Sequence, residues 1–280
     1  MSRGATPVSR VRLTLKQPPA LRVDLRGIVP SALAGLAPAQ IERLTITHGT
    51  QSLALAEFFD VACEDAPAAE AELLFEGELS RFDRIGWQLA SGRIAVAGPV
   101  GDYAGACMSG GAVHVQGHAG MLAACEMSGG TLTIDGNVGD HAASSLPGSM
   151  DGMRGGTLIV RGRAGDRFAD RMRRGTALVF GDVGDFLASR MVAGTIALGG
   201  RAGAHVGFGM RRGSVVFAGP APAVAPTFVP ALADAAVAWQ LLARDIARHG
   251  GPFSGLSGRR IVRHLGDLSA DGRGELMIAL

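Results

Sequence analysis

The sequence predicts an all-β solenoid: a parallel β-helix of about seven 19-residue coils, between a small N-terminal α/β unit and a C-terminal helix with strands. Three observations predict it. Glycines 92, 111, 130, 156, 175, 194 and 213 form one column, stepping by 19 residues except for one step of 26. A second glycine follows six residues later in each unit, from Gly98 to Gly219. Between the two the residues alternate, as in Thr131-Leu132-Thr133-Ile134-Asp135, where Leu132 and Ile134 share one face.

Residues 1–80 read as the N-terminal unit. Val11 to Leu15 alternates as a strand does, and Leu44 to Val61 reads as two strands joined around His48-Gly49-Thr50. Pro38 to Leu44 is expected to be a short helix, and Glu64 to Glu72 an exposed loop. Residues 81–222 carry the repeats, entered through a strand within Ala71–Gly86. Nineteen residues are too few for a pair of helices and too regular for hairpins, so each unit suits one coil pairing with the next about 4.8 Å away. Met108, Met127, Met153, Met172, Met191 and Met210 then stack, and thioethers suit an irregular core corner.

Residues 223–280 close the chain. Leu232, Ala235, Trp239, Leu242 and Ile246 fall on one helical face, and Gly250, Gly251 and Pro252 stop that helix. It is expected to cover the open edge of the last coil. Ile261 to Leu280 reads as strand, turn, strand, with the turn at Asp271-Gly272.

Composition excludes several classes. The 42 glycines fit a repeat protein better than an ordinary globule. A net charge of +2 creates no field suited to nucleic acid. No apolar run reaches membrane-spanning length and no signal-peptide pattern opens the chain, so a cytoplasmic protein is expected. Cys63, Cys107 and Cys125 are odd in number and scattered, against a disulfide framework.

No catalytic residue and no metal site emerge. His141 and His205 hold the same repeat position three coils apart, too far to share a metal ion. His114 and His118 lie on opposite sides of a turn. Cys107 and Cys125 read as buried small residues. The glycines recur in every unit, unlike a single phosphate loop.

Two columns break the pattern. Arg154, Arg173 and Arg211 share one place in the repeat, and Arg174 and Arg212 the next. They either pair with an aspartate ladder (Asp102, Asp140, Asp166, Asp185) or form a basic edge for an acidic partner or polyanionic carrier. The other column has the wrong polarity: Ile159, Leu178 and Val216 point outward, with Phe180 beside Leu178. Such a stripe is covered, either by another subunit or by the chain's own C-terminal helix. Ile159, Leu178, Phe180 and Val216 are therefore candidate interface residues.

Four stretches resemble the C subunits of the formylmethanofuran dehydrogenase family: Leu21 to Leu36, Gly77 to Gly86, the Met-x-Gly-Gly repeat, and His264 to Leu276. The repeat by itself also resembles the β-helical domain of glutamate synthase. The flanking motifs favour the dehydrogenase family, and a composition with 26 arginines and one lysine suits a bacterium. The resemblance implies a right-handed helix and a non-catalytic scaffold in a formyltransferase/hydrolase complex of methylotrophic one-carbon metabolism. It implies that tetrahydromethanopterin, a methanofuran-like carrier and a metal are handled on other subunits, which are this chain's expected partners. A hexapeptide-repeat acyltransferase is the rival class, and a period of 19 does not divide by six.

Overall fold

The computed structural model describes residues 8–66, 72–231 and 236–280. The chain opens with strand β1 (Val8–Leu15), then the two-residue β2 (Val23–Asp24) and two short helices, α1 (Pro30–Leu33) and α2 (Pro38–Glu42). Proline begins both helices, where its missing N–H costs nothing. Strands β3 (Thr45–His48) and β4 (Gln51–Ala54) form the expected hairpin around His48-Gly49-Thr50. Strand β5 (Phe59–Ala66) returns antiparallel along the whole of β1, while β6 (Glu72–Glu76) runs parallel to its other side. Residues 67–71, most of the expected loop, lie outside the described residues. Strand β7 (Phe82–Asp83) joins β2, completing a four-stranded sheet of order β4-β3-β2-β7.

Seven strands come from the repeats: β8 (Arg93–Ala97), β9 (Ser109–Val115), β10 (Ser128–Ile134), β11 (Arg154–Val160), β12 (Arg174–Val179), β13 (Thr195–Leu198) and β14 (Ser214–Phe217). Each pairs in parallel with the next, and equivalent residues face each other, as Leu132 faces Leu158 and Leu158 faces Ala177. The period thus sets the register, because only that alignment keeps every apolar face inside. The six repeat methionines are fully buried beside these strands. Gly130 shows why glycine recurs: its φ is +81°, and a Cβ there would lie 2.5 Å from the Gly110 carbonyl oxygen.

Side chains also tie repeat to repeat. The carboxylates of Asp102, Asp140, Asp166 and Asp185 accept the backbone N–H of Met121, Asp166, Asp185 and Ala204, at 2.9, 2.8, 2.8 and 2.7 Å. Asn137 and Asp182 do the same for the N–H of Arg163 and Arg201. The aspartate ladder therefore uses the main chain of the following repeat, rather than the arginine columns, to offset its own repulsion.

The C-terminal part folds back on the last repeats through β15 (Val229–Pro230), α3 (Ala236–Ala247), β16 (Ile261–Gly266) and β17 (Gly274–Ala279). The tail is strand, turn, strand, with Asp271 left-handed at φ 53°. Strand β17 pairs in parallel with β14, so a strand and not the helix covers that edge. Of the expected helix face, Trp239 and Ile246 are buried and Leu242 is half-buried, while Leu232 and Ala235 lie outside the described residues. The Trp239 indole N–H donates to the Arg259 carbonyl at 2.9 Å. The Arg259 guanidinium donates to the carbonyls of Ala218, Ala279 and Leu280, fastening the tail to the last repeat.

The predicted fold class needs correction. The repeat strands belong to one 13-stranded mixed sheet, ordered β15-β16-β17-β14-β13-β12-β11-β10-β9-β8-β6-β1-β5, and not to the expected right-handed parallel β-helix. Two features make the difference. Each repeat supplies one regular strand, of four to seven residues; a second place, from Leu79 to Ala202, makes only isolated bridges. Left-handed turn residues such as Phe186, Ala188 and Arg190 interrupt regular pairing in between. At both ends flanking strands add antiparallel, which ends the parallel order and covers the edges. No helix among the described residues is long and apolar enough to cross a membrane.

Candidate functional site

The arginine column begins at the methionines. Arg154, Arg173 and Arg211 each follow a buried methionine, and the chain reverses face there, so the core anchor presents the guanidinium outward. Arg174 and Arg212 come next in sequence. All five line one cavity of about 550 Å³, with Val192 and Ala193 filling the same places in the intervening repeat. The cavity joins residues 58 positions apart because 19-residue steps return to one column. Arg154 has Glu126 at 3.6 Å and Arg173 has Asp151 at 2.5 Å. Arg174, Arg211 and Arg212 have no carboxylate within 4.0 Å among the described residues.

Two neighbouring cavities extend the basic surface. One, of about 830 Å³, adds Arg273 and shares Arg211 and Arg212. The other, of about 310 Å³, adds Arg171 and Arg190 beside Arg173 and Arg211. Arg190 is committed to the buried Asp170 through a two-point contact at 3.0 and 2.6 Å. No pattern in the sequence singles out Arg273. It comes beside Arg211 only because β17 pairs with β14, and no repeat period extends into the tail.

The apolar column is placed differently. Leu178 and Val216 are fully buried, packed with Trp239, Ala243, Ile246, Phe253 and Met277 in a second core beneath the chain's own C-terminal segment. Phe180 meets Phe253 edge-on at 5.1 Å and carries the Arg161 guanidinium over its ring at 5.3 Å. Ile159 and Phe180 are half-buried at the rim, so of the four candidates these two reach solvent.

The remaining chemical groups are dispersed. Among the described residues no three His, Cys, Asp or Glu side chains are grouped to hold a metal ion. His114 pairs with Asp135 at 2.8 Å, and His118 accepts the Asn137 N–H at 2.9 Å. His205 stacks on Phe186 at 4.7 Å, a ring that Arg167 also covers. Burial pushes the Cys125 thiol up to about 12, and it also raises Cys107 and Cys63. All three are therefore poor nucleophiles at neutral pH. In the four-stranded sheet, burial likewise raises the Asp83 carboxyl, although Arg22 stands against it at 2.5 Å.

Comparison with known proteins gives a consistent set of relatives, though no protein-family model matches the chain. The C subunit of tungsten-containing formylmethanofuran dehydrogenase 2 from Methanothermobacter wolfeii is 34% identical over 100 residues, which are 35% of this chain and 37% of that protein. The C subunit of the formyltransferase/hydrolase complex Fhc from Methylorubrum extorquens is 40% identical over 80 residues, 29% of each chain. The matched stretch thus spans about a third of the curated relatives' length. A chain in the crystal structure of the Methylorubrum extorquens formyltransferase/hydrolase complex FhcABCD, solved with methylofuran, matches at a TM-score of 0.88 and 37% identity. That match covers 96% of this chain and 99% of the other.

Proposed function

Because the chain belongs to the family of formylmethanofuran dehydrogenase C subunits, we propose that it serves as a non-catalytic scaffold subunit of a formyltransferase/hydrolase complex. The observation that carries this is the match along nearly the whole length to a chain that is part of such a complex. In this reading the complex moves a formyl group from tetrahydromethanopterin to a methanofuran-like carrier and releases it as formate, a cytoplasmic step from formaldehyde to formate. Residues 1–80, 81–222 and 223–280 act in this reading as an end unit, a repeat body and a closing unit. The half-buried Ile159 and Phe180, beside Arg161, offer a rim for a neighbouring subunit. Native purification followed by mass spectrometry tests the proposal: the other subunits should co-purify in fixed ratio. A chain that purifies alone from its own cell extract refutes it.

A second reading gives the arginine groove a binding role toward the acidic part of the carrier. It is favoured by Arg174, Arg211 and Arg212, which share one cavity and have no carboxylate within 4.0 Å among the described residues. Guanidinium groups held side by side repel unless an anion joins them. Complex turnover for Arg211→Glu and Arg173→Glu, at low and high salt, tests it. The variants should lose activity at low salt, and activity equal to the parent's at both salts rejects the role.

A further inference from the structure

The two ends of the 13-stranded sheet are finished differently. At one end β15 is two residues long and closes on Pro230, which has no N–H to offer a further strand. At the other end β5 runs for eight residues, contains no proline and pairs with β1 in unbroken register from Phe59 to Ala66. An edge strand presents alternate N–H and C=O groups away from its sheet. Among the described residues, none of those groups in β5 bonds to a turn, a loop or a side chain. Helix α2 approaches β5 without hydrogen-bonding its main chain.

Charge on the outer face points the same way, because its sign alternates strand by strand. Arg93 on β8 stands opposite Glu72 on β6. Glu72 and Glu76 meet Arg10 and Arg12 on β1 at 2.6 and 3.7 Å. Arg10 and Arg12 also meet Glu64 on β5, at 4.0 and 3.3 Å. Asp60 completes the β5 row, with Lys16 at 3.5 Å. The alternation stops there, with the Asp60 and Glu64 side chains 75% and 47% exposed. The two carboxylates are four residues apart, about 13 Å along the strand. Like charges directly opposite each other destabilise a strand pair and opposite charges stabilise it. A second copy paired antiparallel about Ala62 would set the Asp60 and Glu64 carboxylates against each other. A strand with basic residues four apart would instead continue the alternation.

We propose that β5 takes one more strand from a different protein. That strand is an extended segment with lysine or arginine at places four residues apart on its solvent face. Its other face is apolar, against the half-buried Val61 and Cys63. Main-chain hydrogen bonds along the edge supply the affinity, and the carboxylates of Asp60 and Glu64 select the partner. This goes beyond the scaffold reading by naming the chemistry of one neighbour, and it stands on the free edge and its charges rather than on that reading.

The test is fluorescence anisotropy of the purified full chain with two labelled peptides, Val-Lys-Val-Thr-Val-Lys-Val and Val-Glu-Val-Thr-Val-Glu-Val. At low salt the lysine peptide should bind about tenfold or more tightly than the glutamate peptide, and high salt should narrow the gap. Methylating alternate main-chain nitrogens of the lysine peptide gives two forms. The form blocked on the edge facing β5 should lose binding, and the other should keep it. Asp60→Asn/Glu64→Gln should weaken the lysine peptide by about fivefold or more. Arg248→Glu, exposed on α3, should leave it unchanged. Equal binding of the two peptides, of the two methylated forms, or of the neutralised variant and its parent overturns the proposal, as does the absence of binding. Self-association of the parent that the lysine peptide competes away makes a second copy the occupant and overturns it too. Each of these outcomes leaves the co-purification test of the scaffold reading untouched.

Discussion

Asp166 accepts the backbone N–H of Asp185 at 2.8 Å, and Asp185 holds the same place one repeat later, where it accepts the N–H of Ala204. One side chain thus does in several repeats what strand pairing cannot, because the main chain is turning there. Asp166→Ala should cost about 1 kcal/mol, the usual net value of one such hydrogen bond. Asp166→Asn should cost less, since Asn137 already performs this role one column away. Denaturant unfolding of the two variants checks the order, and equal losses would show that charge rather than the amide acceptor matters.

Leu178 lies under the chain's own C-terminal segment, against the group that includes Trp239 and Ile246. Leu178→Ala should destabilise the chain by about 3 kcal/mol through the cavity it leaves. Leu178→Asp should do worse and leave little folded protein, because it would bury a carboxylate among apolar side chains. Circular dichroism melts measure this. A folded Leu178→Asp chain that merely stops binding other subunits would show that the segment lifts away in the assembly.

Cys125 is fully buried and its thiol stays protonated near neutrality, pushed up to about 12. Iodoacetamide at pH 8 should leave it unmodified in the native protein and alkylate it after denaturation. Cys107 and Cys63 are half-buried and should react slowly. Rapid native labelling of Cys125 would mean that this turn opens readily.

Asp267 links the tail to the last repeat. Burial alone would raise its carboxyl, but hydrogen bonds from the Ser269 hydroxyl, the Gly209 N–H, the Thr227 hydroxyl and the Ser269 N–H hold it below the ordinary value of 3.8. A depressed carboxyl stabilises the fold fully above its unfolded pKa and loses that contribution as pH falls through the folded one. Melting temperature should therefore fall on acidification below about pH 4, and Asp267→Asn should flatten that fall while costing about 2 kcal/mol at neutral pH. An unchanged acid profile in the variant would remove Asp267 from the linkage.

Much of the local structure was legible. Glycine columns, alternating apolar residues and the methionine line predicted which residues pair and which are buried, because a fixed period forces equivalent residues to meet. The hairpin at His48-Gly49-Thr50 and the turn at Asp271-Gly272 were legible from turn residues. The arginine groove was half legible. Its five repeat members could be aligned by counting, but Arg273 could not, since it sits outside the period.

The sequence by itself determined the repeat register, the burial of Leu132, Leu158 and the methionines, and the alignment of Arg154, Arg173 and Arg211, all consequences of spacing along one chain. Tertiary structure alone decided three things. The repeat strands became part of a 13-stranded mixed sheet because antiparallel strands from both flanks close its ends. The apolar column at Leu178 and Val216 found its cover within the chain because α3 and the segment around Phe253 fold back upon it. The aspartates found main-chain partners, and among the described residues Arg174, Arg211 and Arg212 have no carboxylate within 4.0 Å. The first two depend on contacts between segments that no period relates, and such contacts form only when the whole chain packs; the third depends on how the main chain turns in the following repeat, which spacing alone does not specify.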